Sequence, residues 1–325
     1  MIVTVTPNPS IDRTASLPSP LTRGAVHRVT SVTDQAGGKG VNVARALTLA
    51  GLDALAVLPA ATNDPLITAL QAAAVSFRVV TSAEPARTNL TITEPDGTTT
   101  KINEPGATLD AATVTALTDA VLAAADGADW VVMSGSLPPG MPTSWYGDVV
   151  AMLASYRCRV AVDTSDAPLA ALVESLERGA PDLIKPNAEE LAGVLGLSPE
   201  LLEEAVAQGD PEPVVAAARQ LVDRGVGAVL ATLGAEGAVL VDANGAWMAT
   251  PPPIVPRSTV GAGDSSLAGY IRAEVGGAVS PQRLQMAVAY GSAAAALPGT
   301  TLPSPAEIDL AAVHVAPISP IPATQ

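Results

Sequence analysis

Short apolar runs alternate with longer helical stretches along almost the whole chain, and this rhythm narrows the choice of fold more than any other feature. Residues 2–6, 54–58, 130–133, 160–163, 183–185 and 228–232 read as buried strands. Between them, residues 41–50, 111–124, 144–155, 168–176, 189–195 and 214–224 have helical composition and spacing. Strands that are apolar throughout need cover on both faces, and the intervening helices supply it. The expectation is an α/β fold with a mostly parallel central sheet flanked by helices.

Two segments depart from the rhythm. Residues 27–33 and 89–102 alternate apolar and polar side chains, with a turn at Asp96-Gly97, as half-exposed antiparallel strands do. They predict a small β lid built from about residues 11–34 and 87–105. After Gly245 come a short strand, a proline-rich crossing at 251–256, and two long helices near 262–275 and 281–297. The 325 residues suit one large domain over 1–315, and three prolines in 316–325 predict a disordered tail. An exposed apolar face on the lid would invite a second copy, so a homodimer through the lid is expected.

The net charge of −15 argues against a nucleic-acid partner, which needs a basic face. A small anion remains compatible if the few cations gather in one place. Only three of the seventeen basic residues are lysines, Lys39, Lys101 and Lys185. The single cysteine, Cys158, suits a reducing compartment. The first residues lack a basic segment before an apolar run, and the alanine-rich run 286–297 is too short to span a bilayer. These readings predict a cytoplasmic protein with no membrane partner.

The sharpest motif is Ser258-Thr259-Val260-Gly261-Ala262-Gly263-Asp264, just before an apolar helical stretch. Small residues let backbone N–H groups approach an anion, and the helix N-terminus adds its dipole. An aspartate there would repel that anion, unless it accepts a proton from a nucleophile attacking it. The other reading is that Asp264 simply caps the helix. The string is neither a P-loop nor a dinucleotide fingerprint. A second motif, Gly37-Gly38-Lys39-Gly40-Val41-Asn42, sets glycines around a lysine at a helix start. It exposes amides, a cation and a side-chain amide to a polar ligand, or else is a glycine-rich connection whose lysine points to solvent.

These two strings, in this order, resemble the signatures of the ribokinase/PfkB family of carbohydrate kinases. Four more motifs agree in order: Asn8-Pro9-Ser10-Ile11-Asp12, Ser134-Gly135-Ser136-Leu137-Pro138-Pro139-Gly140, Lys185-Pro186-Asn187-Ala188-Glu189-Glu190 and Thr232-Leu233-Gly234-Ala235-Glu236-Gly237. The resemblance covers roughly residues 1–300. It implies a ribokinase-like fold, ATP as phosphoryl donor and Mg²⁺ as cofactor. By similarity, Asp264 is the catalytic base and Gly261, Ala262 and Gly263 form the anion hole. Asp12, Gly38, Lys39, Asn42 and Ser136 match the sugar side. Lys185, Asn187, Thr232, Gly234, Gly237 and Ser292 match the nucleotide side. Glu190, three residues after Asn187 on one helix face, organises Mg²⁺ through water. The resemblance also implies a monovalent-cation site near Ser258 and Val260.

Members acting on free sugars usually carry Asp-Thr before the Gly-x-Gly-Asp, whereas here the first position is Ser258. Together with Gly-Gly-Lys-Gly, this resembles the branch acting on phosphorylated ketohexoses. A substrate phosphate needs cations of its own, and Lys39, Arg87 and Lys101 are available. The implied reaction is fructose 1-phosphate and ATP to fructose 1,6-bisphosphate, with tagatose 6-phosphate and fructose 6-phosphate left open as substrates. A catalytically silent sugar-phosphate or nucleotide sensor would be expected to lack the base or the Glu190 position, and both are intact.

Overall fold

The computed structural model describes residues 1–318. Its strands are β1 (Ile2–Val5), β2 (Ser10–Ser16), β3 (Ser31–Gly37), β4 (Ala54–Ala60), β5 (Ser76–Thr81), β6 (Arg87–Thr93), β7 (Thr99–Asn103), β8 (Trp130–Ser134), β9 (Arg159–Asp163), β10 (Leu183–Ile184), β11 (Ala228–Thr232), β12 (Ala238–Asp242), β13 (Gly245–Thr250) and β14 (His314–Pro317). The helices are α1 (Lys39–Leu49), α2 (Pro65–Ala72), α3 (Ala111–Ala125), α4 (Trp145–Leu153), α5 (Asp166–Glu174), α6 (Ala188–Leu195), α7 (Pro199–Ala207), α8 (Glu212–Asp223), α9 (Ala262–Val275) and α10 (Ser280–Ala295).

Ten strands form the central sheet in the order β14-β13-β12-β11-β10-β9-β8-β1-β4-β5. From β11 to β5 all neighbours run parallel, while β11 through β14 are joined antiparallel. Side-chain alternation sends Val3 and Val5 to one face and Ile2 to the other. Leu117, Tyr146, Leu172, Leu191 and Leu221 cover the first face from α3, α4, α5, α6 and α8. Val43, Leu66, Leu267 and Leu284 cover the second from α1, α2, α9 and α10. The ribokinase-like α/β layering expected from the sequence is therefore present.

A separate four-stranded sheet, ordered β3-β2-β6-β7, forms the lid. The second lid strand lies at Ser31–Gly37 rather than at 27–33, because it pairs in register with Ser10–Ser16. The tail also needs correcting at its start. Ala316 and Pro317 pair with Met248 and Trp247 as the edge strand of the main sheet, a place where proline's missing N–H is tolerated. The rest of the predicted tail, from 319, lies outside the described residues. Among the described residues, no helix is long and apolar enough to cross a membrane.

Candidate active site

In a parallel sheet with helices on both faces, ligands bind beyond the carboxyl ends of the strands, where the strand order reverses. Here the order reverses at β1, with β8 on one side and β4 on the other. The carboxyl ends carry Asn8 after β1, Ser136 after β8, Asp163 ending β9, Lys185 after β10 and Thr232 ending β11. Four of the six sequence motifs thus arrive at one edge, and the lid rises from the same edge through Ser10. Asn8 Nδ2 donates to Pro105 O at 3.0 Å and to Ser136 Oγ at 3.3 Å, joining the lid's base to the β8 turn.

At the centre lies a residue that sequence reasoning did not single out. Asp163 is almost fully buried, at 1 % exposure. Lys39 Nζ donates to its Oδ1 at 3.1 Å, and Lys185 Nζ lies 3.2 Å from its Oδ2. Burial pushes the Asp163 carboxyl up, but the two ammonium groups outweigh it and hold it below the usual carboxylate range. Asp163 in turn holds the Lys39 amine well above its ordinary range. Lys185 reaches on to the Ser258–Asp264 motif: a side chain at Gly263 would place its Cβ 3.2 Å from Lys185 Nζ. Glycine there leaves the ammonium and the loop amides open to one shared anion.

Asp264 stands on the first turn of α9. Gly261 enters the helix with φ 77°, in the left-handed region, and no side chain caps the end. The first-turn N–H groups therefore lack intrahelical partners. Asp264 does not cap; its carboxylate is buried and its Oδ2 accepts from Asn42 Nδ2 at 2.9 Å. Burial, then the nearby Asp163 charge, raises its pKa to about 6, against the opposing pull of Lys39, Asn42 and Lys185. A carboxylate poised in that range can hold or release a proton near neutrality.

The polar face of the lid turns toward α1. Register puts Asp12 opposite Gln35 and Asn89, with Thr91 and Lys101 paired one step further along. Asp12 Oδ1 accepts from Ser10 Oγ at 2.7 Å and Asn89 Nδ2 at 3.1 Å, and it packs against Gly37, where a Cβ would come within 2.2 Å of the carboxylate. Arg87, next to Asp12 on the adjoining strand, donates from Nη1 to Glu104 O at 2.9 Å. Its Nε is buried without a partner. Burial lowers its pKa, opposed by Asp12 and Glu104. An orphaned guanidinium donor beside a carboxylate suits a ligand carrying both phosphate and hydroxyl groups. Lys101 is exposed on β7.

On the nucleotide side, Asn187 is the N-cap of α6 rather than a residue on its face. Asn187 Oδ1 accepts from the Glu190 N–H at 2.7 Å, and the Asn187 N–H donates to Glu190 Oε2 at 2.8 Å. This capping box uses one Glu190 oxygen and leaves Oε1 available. Burial raises the Glu190 pKa, opposed first by the Asn187 N–H and then by Lys39. A cleft of about 450 Å³ takes in Asn187, Thr232 and Gly234, with Glu189, Glu203 and Glu236 on its rim. Those carboxylates make the rim unfavourable to an anion. Gly237 does not line this cleft. Its φ of 104° and a Cβ that would lie 1.9 Å from Ala249 O make it a close-packing glycine. Ser292 is half-buried on α10 and also lies outside the cleft. Ser258 Oγ accepts from the Val260 N–H at 3.2 Å. A hollow of about 890 Å³ lies at the opposite edge of the sheet around Trp130, Arg159 and Glu274 and contains none of these motifs.

A parallel sheet whose carboxyl edge joins a lid, a paired-lysine centre and an uncapped glycine turn bearing a buried aspartate defines a ribokinase-like kinase. Residues 6–307 match the family described as pfkB family carbohydrate kinase, and the chain belongs to that family. It is 37 % identical to the 1-phosphofructokinase of Rhodobacter capsulatus over 313 residues, covering 94 % of this chain and 93 % of that one. Identity to the 1-phosphofructokinase of Xanthomonas campestris pv. campestris is 36 % over 274 residues, 83 % of each chain. Among solved structures, phosphofructokinase-2 from Escherichia coli in complex with fructose-6-phosphate superposes with a TM-score of 0.81 at 30 % identity, covering 90 % of this chain and 93 % of that one.

Proposed function

We propose that the protein transfers the γ-phosphoryl group of ATP to O6 of fructose 1-phosphate, giving fructose 1,6-bisphosphate. The observation that carries this reading is the pairing of a buried, Asn42-bonded Asp264 with the glycine turn Gly261-Ala262-Gly263, whose amides no side chain caps and of which Ala262 N–H makes only a long 3.4 Å bond to Thr259 O. Asp264 accepts the hydroxyl proton as the oxygen meets phosphorus. The γ-phosphoryl oxygens keep their charge against the turn amides and Lys185. Asp12 and Asn42 orient the sugar hydroxyls, Arg87 and Lys39 hold the sugar's phosphate, and Gly38 and Ser136 line its seat. Closure of the lid excludes water and limits ATP hydrolysis.

Glu190 would fit a role toward Mg²⁺, since the capping box leaves its Oε1 free and magnesium needs few protein ligands beside phosphate and water. When bound, the ion supplies charge neutralisation at the phosphates. The outer lid face supports a homodimer. Val32 and Ile102 are 53 % and 56 % exposed there, on the same face as Leu90 and Ile92. A reducing, cytoplasmic setting suits the lone buried Cys158.

The test is a coupled ADP-release assay across fructose 1-phosphate, fructose 6-phosphate, tagatose 6-phosphate and free fructose, for the natural protein and Asp264→Asn. Preference for fructose 1-phosphate and a loss of about 10²- to 10⁴-fold in turnover are expected. A preference for fructose 6-phosphate would favour the reading suggested by the Escherichia coli neighbour. Near-natural turnover in Asp264→Asn would remove the base from its role.

A further inference from the structure

One half-buried cation at the site edge has no part in the mechanism above. Arg45 lies three residues after Asn42 and six after Lys39, so the three share one face of α1. Its Nη1 donates to Asn42 Oδ1 at 3.4 Å and to Ala36 O at 3.2 Å, while Nη2 donates to Gln35 Oε1 at 3.2 Å. Gln35 is a lid residue, paired across strands with Asp12. The same Gln35 oxygen also accepts from Thr300 Oγ1, at 2.7 Å, in the loop after α10.

A guanidinium has donors only, so the Asn42 atom facing it has to be the carbonyl oxygen. That choice turns the Asn42 amide nitrogen toward Asp264, where it donates at 2.9 Å. With Arg45 absent, the Asn42 amide keeps its bond to Asp264 but loses the brace on its oxygen side. The side-chain amide that donates to Asp264 is thus braced on its oxygen side by a side chain anchored on the lid.

We propose that Arg45 is a positioning residue that fixes the Asn42 amide and so links the place of the lid to the proton affinity of the base. The proposal rests on the reading of Asp264 as base. The charged groups facing Asp264 are Asp163 from β9, Lys39 from α1 and Lys185 from the segment after β10. Arg45 acts on it through Asn42 and not as a fourth charge. Lid strand β3 and the post-α10 loop meet on Gln35, so a lid that swings outward withdraws the anchor and loosens the amide. The base is then held in its accepting form only when the lid is in place over the sugar, and that arrangement disfavours phosphoryl transfer to water.

The experiment is the pH profile of kcat/KM for the sugar phosphate in the natural protein, Arg45→Met and Arg45→Lys. The position of the acidic limb does not depend on how much of a preparation is active, so partial misfolding leaves the reading intact. The relay predicts that both variants move the limb upward, by about one pH unit for the loss of one donor to a carboxylate. Arg45→Lys separates relay from charge, because it keeps the cation and loses the fork that holds Asn42 and Gln35 together. An unmoved limb in Arg45→Lys would overturn the relay. If Arg45→Met does not fold, as judged by circular dichroism, Arg45→Lys alone decides. Natural-like turnover in Asp264→Asn would instead show that the base reading fails, and the proposal would fall with it.

Discussion

Asp163→Asn is the substitution with the most to say about how this site is held. It keeps the volume of the side chain and removes its charge from between Lys39 and Lys185. The two lysines will not respond equally. Lys39 is 39 % exposed and stays hydrated, so its lost pairing contributes little. Lys185 is 7 % exposed and is left as a buried ammonium with no other salt-bridge partner among the described residues. Breaking a buried pair by removing one partner costs about 3–5 kcal/mol, and nearly all of that falls on Lys185. Phosphate beside Gly263 would supply the missing counter-charge. ATP should therefore bind the variant more tightly, and at one ATP concentration stabilise it more than the natural protein, for which a hundredfold excess over Kd gives ~2.7 kcal/mol. The assay is urea unfolding with and without ATP, both proteins at the same ATP concentration. Equal midpoints for the two proteins without ATP, or an equal gain from ATP in both, would refute the reasoning.

Three further outcomes are expected. As pH falls through about 6, Asp264 gains a proton and can no longer accept one, so kcat/KM should drop about tenfold per unit below that point and level off above it; a flat profile between pH 5 and 8 would contradict the assignment. Arg87→Ala should raise KM for the sugar phosphate by roughly 10- to 100-fold, the worth of a charge-assisted hydrogen bond, while KM for ATP stays near its natural value; equal effects on both substrates would dismiss Arg87 as a sugar-side residue. Val32→Lys combined with Ile102→Lys should leave a monomer by light scattering, and an unchanged dimer would place the contact elsewhere.

Much of this architecture is written in local pattern. The runs that became β1, β4, β8, β9, β10 and β11 are apolar on both faces, so sheet, direction and helical cover followed from a few residues each. Elements with mixed exposure were harder to see. Edge strand β5 alternates exposed and half-buried positions, and α7 buries only Leu202 and Val206. The motifs placed Asp264, Asn42 and Lys185 without help from the fold, because glycine spacing and helix starts are local chemistry. Asp163 was invisible for the opposite reason. It closes an apolar strand, where a polar residue is ordinary, and its meaning depends on Lys39, 124 residues away in sequence. The three-residue spacing of Lys39, Asn42 and Arg45 was a usable signal for Arg45, but only with the helix face oriented.

Why two lysines should share one carboxylate follows from what the site must do. A chain of net charge −15 has to admit two polyanions, and bare adjacent ammonium groups would repel each other in a buried place. Asp163 lets both stay charged, at the expense of half their pull on phosphate. The same carboxylate also raises the proton affinity of Asp264, which the lysines lower. When phosphate arrives beside Lys185, it offsets cationic charge that had been holding Asp264 acidic. On the proposed reading, the base would therefore become stronger as the donor binds. A lone lysine with no Asp163 would bind the anion more tightly and leave Asp264 a weaker base, so the shared carboxylate trades binding strength for proton affinity where the reaction needs it.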